Sequence, residues 1–298
     1  VISGVTVDVL TDVPIPSVTV RVSQVGEATT AADGRFTIPA SDPEQLREVR
    51  LTSGATVERI THMRVPGPEA RLTLLPSALD LRAFDEMFRH TGSLARWTSP
   101  PRVVVQSRVL QFSGTNNPDY VALADVMSSA EVSALLTDLN YGLSQLTGGT
   151  FNGFAAEERE QAAQGDRVPV LRNGSIVVAR YEGLSAATGF WGYARWGISN
   201  GDVQSGVIMI DRGFDISGSP YRRSLRIHEL GHALGYNHVT ARDSVMNSHA
   251  RFEPNNFDRD AARFAFLRPP LNRSPDVDPD PFSVNMRPST GLVWKGDR

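Results

Sequence analysis

His228-Glu-Leu-Gly-His-Ala-Leu-Gly-Tyr-Asn-His238 carries more structural information than any other run of this chain. It places three imidazoles and one carboxylate in a single short run of chain. On a helix, residues four apart such as His228 and His232 stand about 40° apart in angle and about 6 Å apart along the axis. Both Nε2 atoms can then reach one metal ion at roughly 2.0–2.1 Å. Glu229 lies about 100° round from His228, off the ligand face but beside the place where a water would sit. His238 is six residues beyond His232, and a continued helix would turn it about 240° away. The helix must therefore stop and the chain must fold back. Gly235 stands where that break is needed, because glycine accepts the left-handed conformation that ends many helices.

Three neutral imidazoles leave Zn²⁺ a fourth position for water and lower that water's pKa from about 15.7 towards roughly 7. The spacing thus predicts His228, His232 and His238 as ligands of one catalytic zinc. It also predicts Glu229 as the base that takes the water's proton and passes it to a leaving amine. Residue types and spacing together point to metal-assisted peptide hydrolysis.

The run from His228 to His238 resembles the zinc signature of the metzincin metalloproteases. That family carries a tight turn with a methionine beneath the metal, and Met246 in Asp243-Ser-Val-Met-Asn247 resembles it. Within the family the chain looks most like the matrixins and their bacterial relatives. Ser248-His-Ala-Arg-Phe252 lacks the tyrosine that astacin-like members use near this turn. The chain has no cysteine that could act as a propeptide switch, and the means of latency stays open. The resemblance implies that the loop from Asn247 to Pro254, with Asn247, His249 and Arg251, walls the substrate pocket. Arg251 there suggests a preference for acidic side chains. It also implies a structural Ca²⁺ or second Zn²⁺, to which no ligands are assigned.

The rest of the chain is consistent with such a fold: α+β, with a twisted mixed sheet, a long backing helix, an active-site helix, a methionine turn and a C-terminal helix. Val132, Leu135, Leu136, Leu139, Leu143 and Leu146 recur at helical spacing, predicting a long amphipathic helix over 129–146. Ser128 and Glu131 read as its capping box and Gly148-Gly149 as its stop. Residues 101–106, 175–181 and 206–211 read as buried strands. Ser219-Pro220 predicts an N-cap followed by a first-turn proline for the metal helix. Residues 256–264 read as a C-terminal helix buried through Phe257, Ala261 and Phe264. The aromatic stretch 188–196 is either the edge strand that pairs with extended substrate in metzincins, or a set of core aromatics.

Residues 1–78 read differently. Ser17–Ser23 alternates as a half-buried strand does, and Asp33-Gly34 between two strand-like runs signals a hairpin. Further short strands fall at 49–51 and 70–74, which suggests a small β-sandwich. The spacing of Gly4, Pro16, Asp33, Gly34 and Phe36 resembles the carboxypeptidase regulatory-like domain, an accessory module of secreted and cell-surface proteins. The expected organisation is this sandwich over 1–78, a metalloprotease domain over 79–268 opened by a joining helix at 79–90, and a Pro-rich tail over 269–298. That tail is expected to be disordered, to lie along the body through Phe282, Val284 and Trp294, or to cover the cleft, which no residue in it shows. Residues 151–170, with the charge run Glu157–Glu160, are expected to be an exposed insertion.

A net charge of −3 over 298 residues argues against nucleic acid as a partner, and no apolar run reaches membrane-spanning length. Of the 30 basic residues, Lys295 is the one lysine, which we read as codon bias in the source genome. The expected partner is a protein or peptide substrate, with cell-surface or matrix contact through the N-terminal module. A chain that starts directly in strand-like sequence suits a processed or truncated secreted protein, and the expected location is secreted, periplasmic or at the cell surface. Two functions follow: a zinc endopeptidase, or a surface adhesion protein whose zinc-bound metalloprotease-like domain is inactive.

Overall fold

The computed structural model describes residues 1–40, 44–249 and 251–281, and the backbone of 290–297. The fold is mixed α+β. Its strands are β1 Ile2–Asp8, β2 Thr19–Val22, β3 Gly26–Thr29, β4 Arg35–Ile38, β5 Gln45–Thr52, β6 Arg59–Val65 and β7 Ala70–Leu74 in the first part of the chain. Then come β8 Arg102–Gln111, β9 Asp119–Val126, β10 Glu157–Glu160, β11 Arg167–Pro169, β12 Ser175–Glu182, β13 Gly192–Ser199, β14 Asp202–Asp211 and β15 Thr290–Asp297. The helices are α1 Leu81–Phe88, α2 Ser129–Leu146, α3 Leu184–Thr188, α4 Arg212–Ile216, α5 Arg222–Ala233 and α6 Asn256–Phe266.

The first seven strands make two sheets, in orders β4-β1-β7 and β3-β2-β5-β6. Val20, Val22, Val49 and Leu51 of one sheet share a core with Ile2, Phe36, Ile38 and Leu72 of the other. β2 alternates buried and open positions as its sequence predicts. The hairpin at Asp33-Gly34 does not form. Gly34 takes φ +74° in a tight turn closed by the Ala31 amide on Arg35 O. The strands on either side join different sheets, β3 pairing with β2 and β4 with β1. Thr30 diverts the chain: its Oγ1 accepts from the Val18 amide and donates to Ile15 O.

The large sheet runs β11-β9-β8-β12-β14-β13-β15, with β10 on β8. β8, β12 and β14 are parallel, and β13 reverses against β14. β12 is buried along almost its whole length, as a strand covered on both faces should be. α2 and α5 pack on one face through Leu135, Leu139, Leu143, Ile227 and Leu230. Their backbones approach closely at Gly142, where a Cβ would come within 3.1 Å of Leu230. α2 carries the predicted capping box, with Ser128 and Glu131 each bonded to the other's backbone amide. α6 has its own from Asn255 and Asp258. α1 occupies 81–88 of the expected 79–90.

Three expectations need correction. α5 starts at Arg222, after an uncapped Tyr221, because Ser219 Oγ is spent on the Tyr221 amide in a preceding turn. The charge run at 157–160 is not an insertion but strand β10, parallel to β8, with its charges still exposed or half-exposed and paired with residues elsewhere in the chain. Glu160 pairs with both outer nitrogens of Arg172, and Glu157 accepts from Asn140. The end of the tail adds β15 to the edge of the large sheet. Phe282 and Val284, and the Trp294 side chain, lie outside the described residues.

A buried charge cluster locks α5 against its neighbours. Asp215 in α4 accepts from Arg226 Nε and Nη2, both at 2.9 Å, and from Arg180 Nε at 2.6 Å. Arg226 also donates to Asp138 of α2 at 2.8 Å. Asp215 and Arg226 side chains are 1% and 2% exposed, so losing one partner strands charge away from water. Asp215→Ala is therefore expected to cost about 3–5 kcal/mol in urea unfolding. A loss below about 1 kcal/mol would show that the cluster does not hold α5.

Candidate metal centre

α5 sets His228 and His232 one turn apart, as their spacing predicts. The helix then ends at Gly235, whose φ is +103°. The Gly235 amide donates to His232 O and the Tyr236 amide to Gly231 O, a Schellman closure. The reversed chain is pinned on both sides of the third histidine: the Asn237 amide donates to Met87 O and the Val239 amide to Met246 O. One ring nitrogen from each of His228, His232 and His238 lies within 4.8 Å of the others. Among the described residues this is the one group of three or more His, Asp or Glu side chains placed to share an ion. The expected structural Ca²⁺ or second Zn²⁺ gains no assigned ligands among the described residues.

The donor set fits a divalent cation such as Zn²⁺. His228 Nδ1 donates to Val245 O at 2.6 Å, and His232 Nδ1 to Tyr236 O at 2.7 Å. A carbonyl only accepts, so each Nδ1 carries the proton and each neutral ring keeps its lone pair on Nε2. His232 Nε2 and His238 Nε2 are 3.2 Å apart. Two ligands at about 2.05 Å in a tetrahedral shell stand about 3.3 Å apart. The three histidines therefore form a cluster able to hold a metal ion.

Met246 is fully buried, with its sulfur beneath the motif: a Cβ at Gly231 would stand 2.3 Å from Met246 Sδ. Asp258 holds this turn. It accepts from Ser244 Oγ at 2.5 Å and from the Val245 amide at 3.1 Å, the residue whose carbonyl orients His228. Burial pushes the Asp258 carboxyl up, against the pull of its hydrogen bonds from Ser244 and the Asn255 and Val245 amides. On the other side, Glu86 of α1 accepts from the Thr240 and Ala241 amides, which holds it below the usual carboxylate range. Neither Asp258 nor Glu86 carries a sequence signal for this role, because each acts on a turn distant in the chain.

Glu229 is buried, and β13 runs directly past it: a Cβ on Gly192 would stand 2.0 Å from Glu229 Oε1. Further along β13, Trp196 lies parallel to the His232 ring, with 6.0 Å between centroids. The aromatic stretch thus divides its roles. Trp196 is core, and Trp191 is 37% exposed and stacks on Phe214.

The loop residues are not among the three grouped ligand side chains. Asn247 ties the turn together, donating to Val239 O and Arg242 O and accepting from the Ser244 amide. His249 is exposed beside Ser248, and Arg251 lies over the Tyr221 ring at 5.6 Å. No protein-family model matches the chain, and no curated protein matches it.

Asp258→Ala removes the acceptor shared by Ser244 and Val245. Competition titration should find zinc affinity lowered by about 10–100-fold, the range seen when outer partners of metal ligands are lost. Unchanged affinity would show that the turn positions His228 without Asp258.

Proposed function

We propose that the chain is a zinc-dependent endopeptidase of the metzincin type, matrixin-like in pattern. In this reading His228, His232 and His238 hold Zn²⁺ and Glu229 is the general base. The observation that carries it is the position of Glu229. It follows His228 directly and lies buried between α5 and Gly192, beside a histidine trio fit for an ion. Zinc, when bound, would supply Lewis acidity towards the attacking water and the scissile carbonyl. Glu229 takes a proton at a carboxylate oxygen and returns it to the leaving amine. Gly192 leaves the carboxylate its room, and Trp196 covers the His232 side.

The finer assignments belong to the same proposal. Met246 serves as the methionine-turn residue, and Asn247, His249 and Arg251 contribute to the outer wall of the substrate pocket. Residues 1–78 act as a carboxypeptidase regulatory-like accessory sandwich, 79–268 as the catalytic domain and 269–298 as a tail. The separate core enclosed by β1–β7 supports the first of these. The proposed setting is secreted, periplasmic or at the cell surface. No described helix is long and apolar enough to cross a membrane.

Glu229→Ala is expected to keep zinc and abolish peptide hydrolysis. A chelator should stop the wild type and added zinc restore it. Zinc bound at the trio without turnover on a peptide library would leave the adhesion reading in its place. Gly192→Ala drives a methyl into the Glu229 carboxylate and should also keep zinc. Its kcat should fall about 10²-fold, the scale of a misplaced catalytic group. Wild-type kcat in that variant would separate Glu229 from the proton transfer.

A further inference from the structure

The outer edge of β13 is taken by the chain's own tail. β15 pairs with it antiparallel at every position, from Ser199 opposite Thr290 to Gly192 opposite Asp297. β13 is the strand that lies on the metal helix, with Gly192 against Glu229 and Trp196 against His232. The register therefore runs the tail along the site and brings its end, Asp297, opposite the residue that touches Glu229. On its other side β13 is already paired with β14. The backbone groups along its outer edge are thus the ones open to an incoming extended chain.

We propose that residues 290–297 occupy this edge in cis, on the docking strip that an extended peptide substrate would need, and keep the enzyme latent. The inference rests on the endopeptidase reading. An edge strand offers one row of N–H and C=O groups, and two chains cannot both pair with it. A peptide substrate running antiparallel along β13 needs the row that β15 fills. Tethering strengthens the tail's claim, since a short linker gives an effective concentration on the order of millimolar. A substrate at micromolar concentration loses that competition until the tail is released or removed.

The cysteine-free chain allows a clean test in the full-length protein. Ser199→Cys with Thr290→Cys places one thiol pair across the end of the ladder. Directly opposed Cα atoms in an antiparallel pair lie about 4.5–5.5 Å apart, within disulfide range. Oxidation then locks the tail on the edge. Val293→Pro with Trp294→Pro does the opposite, because adjacent prolines delete a ladder N–H on whichever side it points.

Binding is read first, in a Glu229→Ala background so that nothing is cleaved. The probe is a fluorescein-labelled synthetic peptide of residues 288–298, followed by anisotropy. It should bind the double-proline variant at least tenfold more tightly than the oxidised double-cysteine variant, and reduction should remove the block. Equal binding to the two overturns the docking strip. With Glu229 present, the double-proline variant should hydrolyse a reporter peptide with KM lowered at least tenfold and kcat unchanged. The oxidised double-cysteine variant should lose at least tenfold in kcat/KM, recovered on reduction. Turnover indifferent to the lock overturns latency. Binding that follows the lock while no variant hydrolyses anything with zinc bound refutes the endopeptidase reading and leaves the strip standing.

Discussion

Two backbone carbonyls decide what the histidines can do. Val245 O and Tyr236 O each accept the Nδ1 proton of one helical histidine, which leaves both Nε2 lone pairs facing the same point. Neither carbonyl belongs to the body of α5. Tyr236 O is available because the helix breaks at Gly235, and Val245 O because the turn at 244–247 comes back under it. The same break sends His238 towards His232. Tautomer, ring orientation and third ligand thus depend on one chain reversal at a residue with φ +103°. The reversal is held from outside by Met87 and Glu86 of α1 and by Asp258 of α6.

The helix that carries the cluster is itself fixed by charge as well as by packing. Its apolar side rests on α2, and Arg226 engages Asp215 and Asp138. The chain's arginine excess has a structural use here and again at Arg268. There the guanidinium meets both oxygens of Asp276, and its Nη1 and Nη2 donate to Thr73 of β7. Arg59 reaches Asp278 beside it, under the pull of burial and of Arg268 on its own charge. A planar fork with five donors can satisfy several acceptors at once, which a lysine ammonium cannot do in that geometry. Codon bias would bear on how many arginines there are, and not on where these three are buried.

Legibility followed the range of the interaction. α2 and its cap were plain in the sequence because Ser128, Glu131 and the leucine stripe are all local to one helix. The histidine spacing and Gly235 were plain because a helix has fixed dimensions. Asp33-Gly34 misled because a turn signal specifies the turn and says nothing of which sheets its strands join. The side-chain bonds of Thr30 settled that from a distance. Glu157–Glu160 read as solvated because its partners, Arg172 and Asn140, sit elsewhere in the chain. Gly192 could not be found at all: its meaning is the Glu229 carboxylate packed against it, and the two meet only through the sheet.

β15 shows the same limit from the other side. Its segment follows a Pro-rich stretch and has no strand alternation strong enough to be read alone, because half of what makes it a strand is the edge it meets. Under the proposed function, β13 provides that edge for a reason internal to the site. It must run close enough to α5 for Gly192 to touch Glu229, and its outer backbone row must remain open if a chain is to be drawn past the metal trio. An open row next to a reactive centre attracts any extended segment within reach, and a tethered one reaches first. If the site works by strand pairing, as proposed, it is exposed to capture by its own chain, and the affinity of the tail must stay low enough for substrate or release to displace it.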